Sequence, residues 1–257
     1  MSRGRLIVLE GGDGSGKTTL TASVAKALSK EGISAKTVRQ PGGYGSEEIR
    51  SFLLSESSLS PQEQIALFII DRYITMRKVI LPSLGKGYWF VCDRFTLSTL
   101  AYQATNLFYT YEKNLGPEKT QEHWNKLLEV SLGFTWKAIK RAAGPHIAEL
   151  LESGDWEDLD DLTSNMLLLG DLTFLLHVDR EEAKRRMEAR GQEVTHFDLN
   201  YGMVNSVYPM AYEFLAKEGE YGSLPSNTPR CIGMDVSDSS VEDITEVMLQ
   251  YLRPYIR

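Results

Sequence analysis

Short apolar runs alternate along this chain with longer stretches whose apolar residues recur at helical spacing. Arg5-Leu6-Ile7-Val8-Leu9 and Tyr88-Trp89-Phe90-Val91-Cys92 show almost no polar alternation. Such runs predict strands covered on both faces. Further strands are predicted at Ser34 to Arg39, Asp171 to Val178 and Arg230 to Val236. Between them, Leu20, Val24, Ala27 and Leu28 place one apolar face on a helix from Thr19 to Lys30, stopped by Gly32. Ser46, followed by Glu47 and Glu48, caps a short helix to Leu54. Ser60-Pro61-Gln62-Glu63 is a capping box opening a helix that runs to about Leu84 and ends at Gly85 and Gly87. A basic helix from Arg180 ends at Gly191, another spans roughly Gly202 to Lys217 with a perturbation at Pro209, and a loop covers Glu218 to Pro229. Ser239 and Glu242 form a capping box for the last helix, which ends before Pro254. Strands alternating with helices give a parallel sheet with helices on both faces.

The stretch 106–167 breaks this rhythm. Asn125 to Val130 and Thr135 to Ala143 read as helices, Gly144-Pro145 ends them, and an acidic segment from Glu149 to Asp161 follows. We read it as a helical insertion with a solvated acidic face; an interaction surface is the alternative. The whole chain, 1–257, then reads as one domain carrying that insertion, and its 257 residues bury a core without disulfide or metal staples. The net charge of −7 argues against a chain whose main task is coating nucleic acid. Cys92 and Cys231 both fall in strands and read as buried reduced thiols of a cytoplasmic protein. No apolar run approaches a membrane span, and no signal-peptide region precedes Arg5. His123, His146, His177 and His196 are scattered and offer no zinc spacing.

Three stretches carry chemistry. Gly11-Gly12-Asp13-Gly14-Ser15-Gly16-Lys17-Thr18-Thr19 fits G-x-x-x-x-G-K-[ST], a phosphate-binding loop between a strand and a helix. Its four glycines let successive N–H groups point at phosphate oxygens, the helix dipole adds to them, Lys17 brings a charge to the β/γ-phosphates, and Thr18 can ligate Mg²⁺. Asp93-Arg94 follows an apolar strand, at the end where ligands of open α/β sheets bind. Asp93 can hold Mg²⁺ through water and Arg94 can clamp an acceptor phosphate. Arg180, Lys184, Arg185, Arg186 and Arg190 are either a solvated helix face or part of a lid, about 184–200, over transferring phosphates; Arg190, nearest the glycine, is singled out.

Four stretches in this order resemble the thymidylate kinase family of P-loop nucleoside monophosphate kinases. They are Glu10 to Thr19; Arg39-Gln40-Pro41-Gly42-Gly43; Asp93-Arg94-Phe95 with Ser98-Thr99-Leu100-Ala101-Tyr102-Gln103; and Asp171-Leu172-Thr173 leading to Ala189-Arg190-Gly191. The resemblance covers roughly 4–105 and 168–255. It implies the three-layer P-loop NTPase fold on a five-stranded parallel sheet. It also implies ATP-dependent phosphorylation of dTMP to dTDP with Mg²⁺, and a homodimer. At matching positions, Asp13 would take the sugar 3′-hydroxyl, Phe68 would stack on the pyrimidine, and Arg72 would donate to its exocyclic oxygen. Ser98 or Thr99, with Gln103, would read the base edge, and Tyr102 would pack near the sugar. Arg39 and Arg94 would hold the acceptor phosphate, while Lys17, Arg94 and lid arginines would stabilise the transferring group.

Three departures stand out. Gln40 replaces the family's usual glutamate, the lid lacks a further arginine after Arg190, and the insertion is long. They motivate two alternatives: a kinase for modified or more varied nucleoside monophosphates, or for a modified base in DNA; and a nucleotide-binding regulatory protein without catalysis.

Overall fold

The computed structural model describes residues 3–44, 46–55, 59, 61–102, 170–191, 207–209 and 231–256. The expected insertion, Ser60, Gln103, residues 192–200, most of the stretch 202–217 and all of 218–229 lie outside them. The order is β1 (Leu6–Gly11), α1 (Lys17–Lys30), β2 (Ala35–Arg39), α2 (Glu47–Ser55), α3 (Pro61–Thr75), a π segment (Met76–Ile80), α4 (Leu81–Gly85) and β3 (Trp89–Asp93). Then follow α5, which includes 96–102, β4 (Leu172–His177), α6 (Arg180–Ala189), β5 (Cys231–Asp235) and α7 (Val241–Leu252).

The five strands form one sheet in the order β2-β3-β1-β4-β5, and every pair is parallel. β1 is buried along its whole length because both its faces are covered. Ile7 and Leu9 pack with Leu20, Val24 and Leu28 of α1 and with Ile244, Met248 and Leu252 of α7. Leu6 and Val8 point to the other side, against Met76, Ile80, Leu84 and Phe90. That is the period-2 geometry of a central strand. The chain leaves β1 toward β2 and β3 on one side and later reaches β4 and β5 on the other. The loop after β1 therefore opens at the topological switch point, beside the carboxyl ends of the strands.

Three local expectations shift. The helix expected from 60 to 84 carries a π turn, in which the Leu81 N–H reaches Met76 O. Pro82 has no N–H to give and its ring crowds the carbonyl four residues back, so the wider turn accommodates it. Ser46 precedes α2, but its Oγ lies 2.6 Å from Asp71 Oδ1 and 2.8 Å from Gly43 O. The last capping box uses Ser240, not Ser239: the Asp243 N–H donates to Ser240 Oγ at 3.1 Å and that hydroxyl donates to Asp243 Oδ2 at 2.7 Å. The two serine–acid pairs are offset by one residue, and spacing alone cannot rank them. Among the described residues no helix is long and apolar enough to cross a membrane.

Candidate functional site

The phosphate-loop motif folds as a tight cradle between β1 and α1. Gly11 has φ 144° and a Cβ there would lie 2.4 Å from Leu176 O; Gly14 has φ 79° and a Cβ would meet the Ala183 backbone at 2.7 Å. β4 and α6 thus close on the loop where only glycine fits. Gly16 sits at the N-cap of α1, which turns the positive end of that helix into the cradle. Lys17 Nζ reaches across the loop to Gly12 O at 2.6 Å and to Ser15 Oγ at 3.2 Å. Burial, and after it the charge of Arg94, lowers the Lys17 ammonium from its ordinary value to about 8.

The end of β3 meets this loop. Thr18 Oγ1 donates to Asp93 Oδ2 at 2.5 Å, and Arg39 Nε lies 3.5 Å from the same oxygen. Arg39 Nη2 also donates to Thr18 Oγ1 at 3.2 Å. Asp93 Oδ1 is buried without a hydrogen-bond partner among the described residues. A hydroxyl, a carboxylate and a spare carboxylate oxygen make a hard-oxygen donor set that fits Mg²⁺. Arg94 adopts φ 69° and pairs with Asp13 Oδ1, while Tyr102 donates to Asp13 Oδ2 at 2.9 Å. Burial alone would raise the Asp13 carboxyl, but Arg94, Lys17 and the Tyr102 hydrogen bond bring it below its ordinary value.

Arg50 of α2 is a cation that the sequence reading passed over. It is half-buried, donates to Pro41 O at 3.1 Å, and feels the charges of Arg39, Asp93 and Arg94. Nothing in its helical position marks it; the fold of the Pro41-Gly42-Gly43 turn brings it in. Arg72 is fully buried. Its Nε donates to Gln40 Oε1 at 3.1 Å, its Nη2 to Phe95 O at 3.1 Å and to Thr99 Oγ1 at 2.6 Å, and its guanidinium lies over the Phe95 ring. Burial lowers it to about 10. The amide that departs from the resembled motif therefore faces Arg72, and its Nε2 has no partner among the described residues. Phe68 is half-buried one turn before Arg72 on α3.

Ser98 is placed differently from the expectation that it reads a base. Its hydroxyl bonds Glu10 Oε2, accepts from Arg94 Nη1 at 3.3 Å and lies 3.0 Å from the Tyr208 hydroxyl. A buried oxygen with those partners is committed to the protein. Tyr208 also donates to Gly11 O at 2.9 Å. Glu10, the carboxylate in an otherwise apolar strand, was the visible signal for this cluster. Tyr208 carried none.

On the other side of the loop, a cleft of about 630 Å³ is bordered by Ser15, Gly16, Thr19, Arg185, Arg190 and Ser239. The basic residues of α6 divide here. Arg185 and Arg186 both pair with Glu182. Arg186 also donates to Val236 O and Ser237 O, each at 2.8 Å, and so ties the start of the β5–α7 loop to α6. Arg190 is the C-cap of α6 and stands at the cleft. Asp171 lies away from this edge, where the Leu6 N–H donates to Oδ2 at 2.7 Å.

The thymidylate kinase family profile matches residues 9–142. A thymidylate kinase of Synechococcus sp. (strain JA-3-3Ab) is 46% identical over 98 residues, 38% of this chain and 48% of that protein. A probable thymidylate kinase of Archaeoglobus fulgidus is 45% identical over 101 residues, 38% of this chain and 50% of that protein. The chain thus spans about half the length of the curated relatives it matches. The crystal structure of thymidylate kinase from Ehrlichia chaffeensis aligns over 98% of this chain and 100% of that one, with a TM-score of 0.55 and 23% identity; it is a likeness of fold.

Proposed function

We propose that this chain, which belongs to the thymidylate kinase family, transfers the terminal phosphoryl group of ATP to dTMP, giving dTDP and ADP. The observation that carries the reading is the meeting of two edges: Asp93 on Thr18 and Arg94 on Asp13 bring the end of β3 onto the phosphate loop, with Arg39 and Arg50 beside them.

In this reading the N–H groups from Gly12 to Thr19 and the Lys17 ammonium hold the donor phosphates, and Arg190 borders the donor cleft. Arg39, Arg50 and Arg94 hold the acceptor phosphate, whose oxygen attacks the γ-phosphorus as the bond to the β,γ-bridging oxygen breaks. Mg²⁺, held through Thr18 and Asp93, supplies charge neutralisation when bound. Asp13 takes the sugar hydroxyl beside Tyr102, and Phe68 stacks on the base. Arg72 presents only donors, which matches the carbonyl oxygen of thymine and not the amino group of cytosine. Thr99 completes the described part of the pocket; Ser98 acts through its neighbours. No covalent intermediate is needed, because positioning and charge carry the chemistry. A cytoplasmic, homodimeric enzyme belongs to the same proposal, and its two cysteines are free.

The test is an ADP-release assay with Mg·ATP against dTMP, dUMP, 5-hydroxymethyl-dUMP, dCMP, dAMP, dGMP and UMP, with Lys17→Ala as control. Preference for dTMP supports the reading. Preference for another monophosphate changes the acceptor, and silence across the panel overturns it.

A further inference from the structure

Resting on that reading, we propose that Glu10 is a positioning residue for phosphoryl transfer: its carboxylate fixes the N-terminus of α5 and, through it, the turn that aims Arg94. Glu10 is the penultimate residue of β1 and is 0% exposed. Among the described residues its carboxylate hydrogen-bonds Phe95 and Ser98, not a group assigned to a nucleotide phosphate. Three donors converge on it. The Phe95 N–H reaches Oε1 at 2.9 Å and the Ser98 N–H reaches it at 3.1 Å, and the Ser98 hydroxyl takes Oε2. The first N–H groups of a helix have no partner within it. For α5 those partners come from a strand of the sheet.

The turn before α5 needs such support. Arg94 is a non-glycine residue at φ 69°, a left-handed conformation that persists only where the surroundings impose it. Consecutive residues of β1 impose it here. Leu9 O accepts the Arg94 N–H at 3.0 Å, and Glu10 takes the next N–H, of Phe95. The consequence reaches the phosphate loop twice, because Arg94 and Tyr102 flank the anchored turn and both grip Asp13. Tyr208 closes the ring, its hydroxyl donating to Gly11 O at 2.9 Å and lying 3.0 Å from Ser98 Oγ. Burial raises the Glu10 carboxyl, with the Ser98 bonds and Arg94 acting against it. A strand needing only apolar packing would carry leucine or valine at this position.

The experiment compares wild type, Glu10→Gln and Ser98→Ala. It measures kcat and both KM values in the ADP-release assay, and amide hydrogen exchange across 94–102 and α1. Glu10→Gln keeps the shape but sets an amide group against donors. Its kcat is expected to fall about 100-fold while each KM moves less than about threefold. Exchange in 94–102 should rise, and exchange in α1 should hold. Ser98→Ala, which removes one of the three bonds, should lose about tenfold in kcat and show a smaller rise in exchange. If Glu10→Gln does not fold, Ser98→Ala carries the test alone. A folded variant with unchanged exchange in 94–102, or with its loss confined to KM, overturns the role of Glu10. Wild-type silence on every monophosphate overturns the kinase reading instead, and the exchange data still decide whether Glu10 holds the turn.

Discussion

Asp93 and Asp171 stand at opposite ends of the same parallel sheet, and each sits in a motif that resembles the family. Asp93 closes β3 at the carboxyl edge. One of its oxygens takes Thr18 and Arg39, and the other has no partner among the described residues. Asp171 precedes β4 at the amino edge, where Oδ2 takes the Leu6 N–H and Oδ1 takes Arg3 and Arg5. A carboxylate whose oxygens are all used by its own chain is architecture. One with a spare oxygen beside a phosphate loop is equipped for a ligand. The motif alone could not separate them; the edge of the sheet does.

Mutation of each aspartate can break this contrast. Asp93→Ala is expected to lower kcat/KM about 1,000-fold, the scale of losing one preorganised electrostatic contact to the reacting group, with the urea midpoint little changed. Asp171→Ala is expected to leave kcat of the folded enzyme unchanged and to cost about 2 kcal/mol in urea unfolding, because a buried N–H and two arginines lose their acceptor. If Asp171→Ala were instead folded and slow, the division between the two edges would fail.

The pH profile sharpens the same contrast. Lys17 is held near 8, so its charge is present below that pH and lost above it. The kcat/KM for ATP should fall on an alkaline limb with an apparent pKa of about 8, approaching tenfold per pH unit beyond it. Asp171→Ala should leave that limb where it is, since it lies at the far end of the sheet.

What the sequence made legible was whatever repeats locally. The apolar runs Arg5 to Leu9 and Tyr88 to Cys92 gave β1 and β3 to within one or two residues, since both strands are buried on both faces; β1 runs past its apolar stretch only where Glu10 interrupts it. Gly11 to Thr18 announced a phosphate loop because the motif lies within one turn of chain. Asp93 was legible as the end of an apolar run. The remainder depends on contacts between distant residues. Glu10 meets Ser98 across 88 positions and Tyr208 meets Gly11 across 197, so no window of sequence contains either pair. Arg186 looked like one basic residue among five, and only its bonds to Val236 O and Ser237 O give it a distinct place. The π turn before Pro82 escaped for the opposite reason: proline announces trouble in a helix without saying which geometry resolves it.

Asp71 offers the finest test, because it shares one feature with Asp93 and lacks the other. Its Oδ2 is also buried without a partner among the described residues. Its Oδ1, however, accepts the Gly42 N–H at 2.7 Å and lies 2.6 Å from Ser46 Oγ, so the carboxylate holds the turn after β2 to α3. Burial raises its pKa from 3.8 to about 6, against the pull of Ser46 and Gly42. The native state therefore binds its proton more tightly than the unfolded chain does. The resulting stability is fully present below about 4 and is lost as the pH rises through about 6. Asp71→Asn removes that titration and keeps an acceptor for Gly42. The stability of wild type relative to this variant should thus decline by about 1 kcal/mol between pH 5 and pH 8, read from urea midpoints at each pH. A difference that stays flat over that range would mean that the spare oxygen of Asp71 is solvated or paired. A partnerless oxygen would then cease to be a mark that Asp93 carries and Asp171 lacks.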